Sequence, residues 1–210
     1  MNFTQEVPCD CGGTFPFSAY GDEPWPVVVC TKCGKPAGQI NPLSVSVTAE
    51  RLLYRSKKEL ENGDYSLSII MGTIAVETYL VRLFLKTKRM EAKIYNRPTR
   101  DQEIAWELLY PTTGGFPGHA DVVSKETTGT TFDAFVVQNS VAIKVMDGFP
   151  NAKNISAKKY FQDELFYRRN RIVHWGDVNY KPEEAQLCLD LAIAIVTILR
   201  EMDKSKYGSL

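Results

Sequence analysis

Histidine is scarce in this 210-residue chain, which has only His119 and His174. Any proton transfer built on imidazole must use one of these two. Net charge is missing as well, since 25 lysines and arginines balance 25 aspartates and glutamates. No global field therefore draws the chain to nucleic acid or anionic lipid, and an RNA contact must come from a local basic patch. Arg168, Arg169 and Arg171 with Lys158 and Lys159 offer one. There is no compact Asp/Glu cluster to hold a catalytic metal. No Gly-Lys-Ser/Thr follows the glycines at 114–118, as a phosphate-binding loop requires. Long apolar runs are lacking: Leu187–Leu199 is interrupted by Asp190 and too short to span a bilayer, and Tyr65–Leu85 carries Glu77 and Arg82. No secretory or transit segment opens the sequence, so a cytoplasmic protein without membrane contact is expected. Internal repeats and low-complexity tracts are absent. What remains, 44% apolar and 24% charged residues, suffices for a globular core.

Four of the five cysteines fall in the first 40 residues. Cys9-x-Cys11-Gly12 precedes Cys30-x2-Cys33-Gly34, and Val27–Val29 reads as a strand leading into the second pair. Two thiolate pairs on glycine turns are how a zinc ribbon builds a tetrahedral site. A segment this small cannot bury enough apolar area to fold alone, which a bound metal would remedy. Two disulfides are the alternative, disfavoured by the lack of a secretory signal. Four thiolates leave no open position, so the zinc is expected to be structural. Lys32 and Lys35 supply little charge for nucleic-acid binding by the ribbon alone.

We divide the chain into a zinc-ribbon-like module at 1–40, a linker at 41–47 and a helical domain at 48–210 with an insert at about 97–150. Helix one is expected from Thr48, as N-cap, to Glu61 before Asn62-Gly63, and helix two from Tyr65 to about Lys88. Helix two is apolar almost all round, which marks the central helix. Glu77 lies within its apolar arc and needs a partner if buried; Arg169 is the candidate. Pro98 breaks the pattern, and Arg100–Leu109 can form a short helix. Pro111–Thr131 reads as a long loop with His119 on its surface, and Thr131–Asp147 as one helix. Pro182 opens a final helix to about Lys204. Its stripe Leu187, Leu191, Ile195 and Ile198 packs inward or against a second subunit, and Cys188 reads as a small buried residue.

The stretch Tyr160–Gly176 carries the chemistry. On a uniform helix Phe161, Leu165, Phe166, Ile172 and Val173 form one apolar arc with Arg169 near its middle. Asp163, Tyr167, Asn170 and His174 form a polar stripe, and Gly176 is a C-terminal stop. Arg169 and His174, five residues apart, lie about 140° apart around the axis.

Arg169, Asn170 and His174 form R-N-x3-H on the penultimate long helix, and this resembles the signature of the HEPN superfamily of helical domains. The resemblance covers roughly Thr48–Lys204 and leaves the zinc module outside. It implies an all-α antiparallel bundle of HEPN type, preceded here by a small four-cysteine zinc ribbon. In nuclease members two copies of the motif meet across a homodimer, implying a metal-independent endoribonuclease in which the RNA 2′-hydroxyl attacks the adjacent phosphate. Imidazole titrates near neutral pH, which suits His174 to moving protons. The fork of donors on Arg169 suits it to the phosphorane, with Asn170 orienting the histidine or binding a phosphate oxygen and Glu77 and Arg171 in support. A related subgroup carries a tyrosine two residues after the histidine; Gly176 stands there, so chemistry depending on that tyrosine is not expected. RNA is the implied substrate. A toxin or antiviral defence effector is implied, with an antitoxin or activating partner. The alternatives are a non-catalytic nucleotide- or protein-binding regulatory module, and a structural set in which Arg169 pairs with Glu77 and His174 caps carbonyls.

Overall fold

A computed structural model describes residues 4–8, 11–18, 29–34, 45–94 and 115–207. Cys9, Val27 and Val28, the linker up to residue 44, Pro98 and the short helix expected at Arg100–Leu109 lie outside the described residues. The described chain is mostly helical. Its strands are β1 (Thr4–Pro8) and β2 (Thr14–Ser18), an antiparallel hairpin in which Val7 pairs with Phe15.

Helices α1 (Val45–Glu61) and α2 (Tyr65–Ile94) are joined by the turn Asn62–Asp64, where Asp64 Oδ1 accepts from Leu67 N–H at 3.0 Å. Helix α1 thus starts at Val45, before Thr48, which falls inside the first turn instead of capping it. The core helices α1, α2 and α8 (Pro182–Tyr207) meet at Gly72. A Cβ there would stand 3.3 Å from both the Ala192 Cβ and the Ser56 hydroxyl. Ser56 Oγ donates to the Ser68 carbonyl at 2.8 Å, so the polar atom at this crossing is satisfied. At the other end of the interface Arg200 hydrogen-bonds Glu50, which is 8% exposed.

The contacts also fix direction. Ser66 bonds the Val178 carbonyl ahead of α8, and Lys86 bonds Asp203 near its end at 2.6 Å. Helices α2 and α8 therefore run parallel, with α1 antiparallel to both. This departs from the strictly antiparallel bundle expected, because the chain between α2 and α8 returns to its starting end before α8 begins. By length and composition α2 is long and apolar enough over Tyr65–Lys88 to cross a membrane, but 56% of its most apolar window is buried inside the protein. Ile69, Val76, Tyr79, Leu80 and Leu83 fill the core there.

Over residues 115–131 the structure corrects the loop expected at Pro111–Thr131 from its glycines and threonines. Helix α3 spans Phe116–Thr128 with Pro117 in its first turn, where a missing N–H costs nothing. Ala120, Val123, Ser124 and Thr127 are its buried face. The single helix expected at Thr131–Asp147 divides at Asn139 into α4 (Phe132–Gln138) and α5 (Ser140–Asp147). Asn139 is extended, and its side chain accepts from Val141 and Ala142 N–H to cap the second piece.

The motif stretch is one continuous helical run in three parts: α6 (Ala157–Phe161), a π turn (Gln162–Phe166) and α7 (Tyr167–Trp175). Within it Tyr167 N–H reaches the Gln162 carbonyl, five residues back. Residues five apart lie about 140° apart on an α-helix. The wider turn lets Phe161 and Phe166 share one face, both buried, with Phe166 stacked on Phe116 at 4.6 Å. Phe132 and Phe161 meet Phe116 edge-on.

Gly72→Leu would drive a side chain into the three-helix crossing. Overpacking of this kind costs about 1–3 kcal/mol, so the urea unfolding midpoint should fall by a corresponding amount; an unchanged midpoint would show that the crossing is not tight.

Candidate functional site

A cavity of about 520 Å³ opens between α2, α3 and the π turn. Its polar lining is Glu77, Arg82, His119, Gln162, Arg169 and Asn170; its apolar wall includes Ile74, Val81, Phe116 and Phe166. Two of the motif residues, Arg169 and Asn170, thus face a common space with Glu77. His174 does not. It is exposed near the end of α7, one turn beyond Asn170 and about 140° from Arg169 around the axis.

The expected pairing of Glu77 with Arg169 is present in a loose form. Arg169 Nη2 stands 3.9 Å from Glu77 Oε2, beyond hydrogen-bond distance, while its Nη1 donates to Asn170 Oδ1 at 3.0 Å. Glu77 is not a buried carboxylate as expected: its side chain is 43% accessible, at the cavity mouth. Desolvation by the cavity walls still raises its carboxyl above the ordinary value, outweighing the opposing pull of Arg169.

The five cations of the expected basic patch differ in how tightly they are held. Lys158 bonds Asp121 at 2.5 Å, Lys159 bonds Asp163 at 2.6 Å, and Arg168 bonds Glu164 at 2.7 Å. Arg171 bonds Asp177 at 2.7 Å. Arg169 alone among the five meets its carboxylate at a distance too long for a hydrogen bond. Arg171, expected in support of the site, is turned instead to the loop after α7.

The π turn explains why a uniform helical reading missed part of this. It adds a residue to one turn, so positions after it do not continue the face of those before it. Asn170, after the turn, lies in the cavity beside Arg169 while Asp163, within it and on the same expected stripe, is exposed. Glu164, inside the turn, has its carbonyl satisfied by Arg168 Nη1 and, at 3.6 Å, by Cys188 Sγ. Burial pushes the Cys188 thiol up to about 12, as befits a small core residue. Val173, expected in the apolar arc, is 51% exposed, because the last turn of α7 projects beyond the core. Gly176 ends the helix at φ 66, as its position predicted.

His119 corrects the surface-loop expectation: it sits on α3 in the cavity wall. Arg82 and Gln162 also escaped sequence reading. Arg82 Nη1 and Gln162 Oε1 are buried with no hydrogen-bond partner among the described residues. Arg82 follows Thr78 by one turn and Glu77 by five residues on α2. That polar stripe among Ile74 and Val81 is the signal that could have disclosed it.

The second cluster is at the N-terminus. The sulfurs of Cys11, Cys30 and Cys33 all lie within 4.8 Å of one another, close enough to hold a metal ion. Cys11 and Cys30 are 3.5 Å apart as thiols. A tetrahedral ion with sulfurs at about 2.3 Å would set them roughly 3.8 Å apart, so the three fit. The Cys33 backbone N–H lowers the Cys30 thiol to about 6, with further lowering from the Lys32 N–H, favouring the thiolate that a metal requires. Gly12 and Gly34 have φ of 77 and 64, and Gly34 N–H closes the second turn on the Cys30 carbonyl at 3.0 Å. A Cβ at Gly13 would strike the Cys30 sulfur at 2.7 Å, so the approach of the two turns depends on its absence.

No protein-family model matches this chain, and no curated protein or solved structure matches it significantly.

The raised carboxyl of Glu77 fixes a pH dependence. The folded chain holds this proton more tightly than the unfolded chain, whose value is near 4.5. Its contribution to stability is therefore full below that pH and is lost as pH rises through the folded value. Glu77→Gln should remove that loss, so the variant gains on the wild type in urea midpoint from acid to neutral pH. A constant difference across the series would refute this.

Proposed function

We propose that this chain is a metal-independent endoribonuclease of HEPN type, whose active site is completed when two copies meet. The observation that carries this reading is the state of Arg169: half-buried in an open cavity, oriented by Asn170, and the one cation of its patch not hydrogen-bonded to a carboxylate. A phosphate can displace so loose a contact, whereas the tighter pairs on Lys158, Arg168 and Arg171 would first have to break.

The reaction follows from the side chains. The 2′-hydroxyl gives up its proton and attacks the adjacent phosphorus. Charge builds on the phosphorane oxygens, where the Arg169 fork donates two hydrogen bonds. The bond from phosphorus to the 5′-oxygen then breaks, and that oxygen takes up a proton. The products are a 2′,3′-cyclic phosphate and a 5′-hydroxyl. One imidazole removes the first proton and another delivers the second, so two copies of His174 serve as base and acid. Asn170 keeps its amide N–H2 for a phosphate oxygen because its Oδ1 is occupied by Arg169.

The surface beside His174 favours a second copy. Tyr167, Val173, Trp175 and Val178 are 50–71% exposed on and just after α7, with Tyr167 and Trp175 edge-to-face at 6.5 Å. An uncovered apolar face flanking the histidine is what a dimer interface would bury. A cytoplasmic toxin or defence effector, restrained by an antitoxin or awaiting an activator, is the biological setting this chemistry suits. The rival reading, a non-catalytic nucleotide- or protein-binding regulatory module, draws on the same cavity and is separated by whether RNA is cut.

Cleavage of labelled RNA in excess EDTA should give 2′,3′-cyclic phosphate ends, and His174→Ala should lower the rate by about 10²–10⁴-fold. Trp175→Glu should abolish dimerisation and cleavage together while the helical circular dichroism is retained. Intact RNA with wild type under every activating condition would overturn the assignment.

We further assign a structural zinc to Cys11, Cys30 and Cys33, with Cys9, outside the described residues, as the fourth ligand. Purified protein should carry about one zinc per chain by elemental analysis, and Cys30→Ser should lose it. Zinc retained by that variant would refute the site.

A further inference from the structure

We propose that the cavity beside Arg169 is a nucleobase pocket that selects guanine. The inference rests on the reading of Arg169 as the phosphate ligand, and names the nucleotide that this phosphate belongs to.

The starting observation is a pair of unsatisfied polar atoms of opposite sense. Arg82 Nη1, a donor from α2, and Gln162 Oε1, an acceptor from the π turn, are both buried and both line the cavity. Neither has a hydrogen-bond partner among the described residues, so they do not bond each other. Buried polar groups are ordinarily paired, so each exception calls for an explanation, and a ligand that supplies the missing partner is one. Desolvation also lowers the Arg82 guanidinium, the cost of a cation kept in such a wall. The π turn is what aims Gln162 here. Its carboxamide sits against Gly115, where a Cβ would already be 3.4 Å from Oε1.

The remaining walls suit a planar, largely apolar group with polar edges. Ile74, Val81, Phe116 and Phe166 provide the apolar surface, and Glu77 adds a carboxylate at the mouth. The volume of about 520 Å³ is in the range of small-molecule sites.

Guanine matches the pattern of donors and acceptors. Its O6 and N7 are adjacent acceptors, the pair an arginine fork reads. Its N1–H and exocyclic amine are donors, which Gln162 Oε1 and the Glu77 carboxylate can accept. Adenine would set its own amine against Arg82, donor against donor. A pyrimidine lacks the second ring and would leave Arg82 or Gln162 unpaired. Because Arg169 and Asn170 line the same cavity, a base bound there belongs to a nucleotide whose phosphate lies at Arg169. The enzyme would thus cut next to guanosine.

Binding of 5′-GMP, 5′-AMP, 5′-CMP and 5′-UMP to the full chain can be followed by calorimetry, independently of cleavage. GMP should bind about tenfold or more tightly than the others. Gln162→Leu should bring GMP down to their level. Arg82→Met, on a different helix, should do the same and guards against a Gln162 variant that disturbs the π turn. Equal binding of the four nucleotides, or none, would overturn the pocket, as would GMP affinity unchanged in both variants. Cleavage sites mapped on a mixed-sequence RNA separate the two readings. Selective GMP binding without cleavage keeps the pocket and removes the ribonuclease. Cleavage evenly spread over all four bases keeps the ribonuclease and removes the pocket.

Discussion

The wide turn at Gln162–Phe166 is the constraint on which the candidate site depends. A helix built only on four-residue bonds would point Phe161 and Phe166 to different sides. With one bond stretched to five residues, both reach the aromatic cluster around Phe116, and α7 leaves the core in a new register. Arg169 and Asn170 are then delivered to the cavity wall, and Gln162 to its interior. The cost is a disturbed backbone, and the structure offsets it locally: the Glu164 carbonyl takes donors from Arg168 and Cys188. The phenol of Tyr180 bonds the Arg168 carbonyl at 3.2 Å. Turns of this kind often mark functional positions, since they trade regular hydrogen bonding for the placement of a few side chains.

Electrostatics then separate the arginines that hold the fold from the one left for chemistry. Arg168 and Arg171 are committed within their own helix and its exit loop, where the partners lie close in sequence and the pairs form with little chain ordering. Arg200 is committed to Glu50 across the interface of α1 and α8. Arg169 meets only a distant carboxylate and a neighbouring amide. A guanidinium in that condition is oriented without being neutralised, which is the state that binding a phosphate requires. One turn beyond Asn170, His174 stands exposed between Val173 and Trp175, so one helix presents polar groups to the cavity and, toward its end, an apolar surface. In the proposed dimer the apolar end of α7 would join the copies, which is what would bring His174 to a phosphate held at Arg169.

Much of the helical frame was legible in the residues. The period of α2, the Asn62-Gly63 stop and the stripe of α8 follow from local rules; the starts at Tyr65 and Pro182 are as expected, while α2 runs on to Ile94, past the end expected near Lys88. Helix α3 was not legible, because its glycines and threonines mask a buried face whose value comes from α2 and α8. The break at Asn139 turns on one residue that caps better than it continues a helix. The cavity was half legible. Glu77, Arg169 and Asn170 were singled out, while Arg82, His119 and Gln162 were missed, since nothing local distinguishes a polar residue aimed at a cavity from one aimed at water.

By itself the sequence determined the helical class, the spacing that sets Arg169 and His174 about 140° apart around one helix, the glycine that ends that helix, and the glycine turns beside Cys11 and Cys33. These are short-range matters, governed by dihedral preference, hydrophobic period and the reach of a few residues. Only the tertiary structure decided that α2 and α8 run parallel, that a π turn interrupts the motif helix, and that Arg82 and Gln162 face Arg169 across one space. Such features are set by which surfaces must close on one another, through contacts between residues far apart in the chain, and a local period carries no record of them.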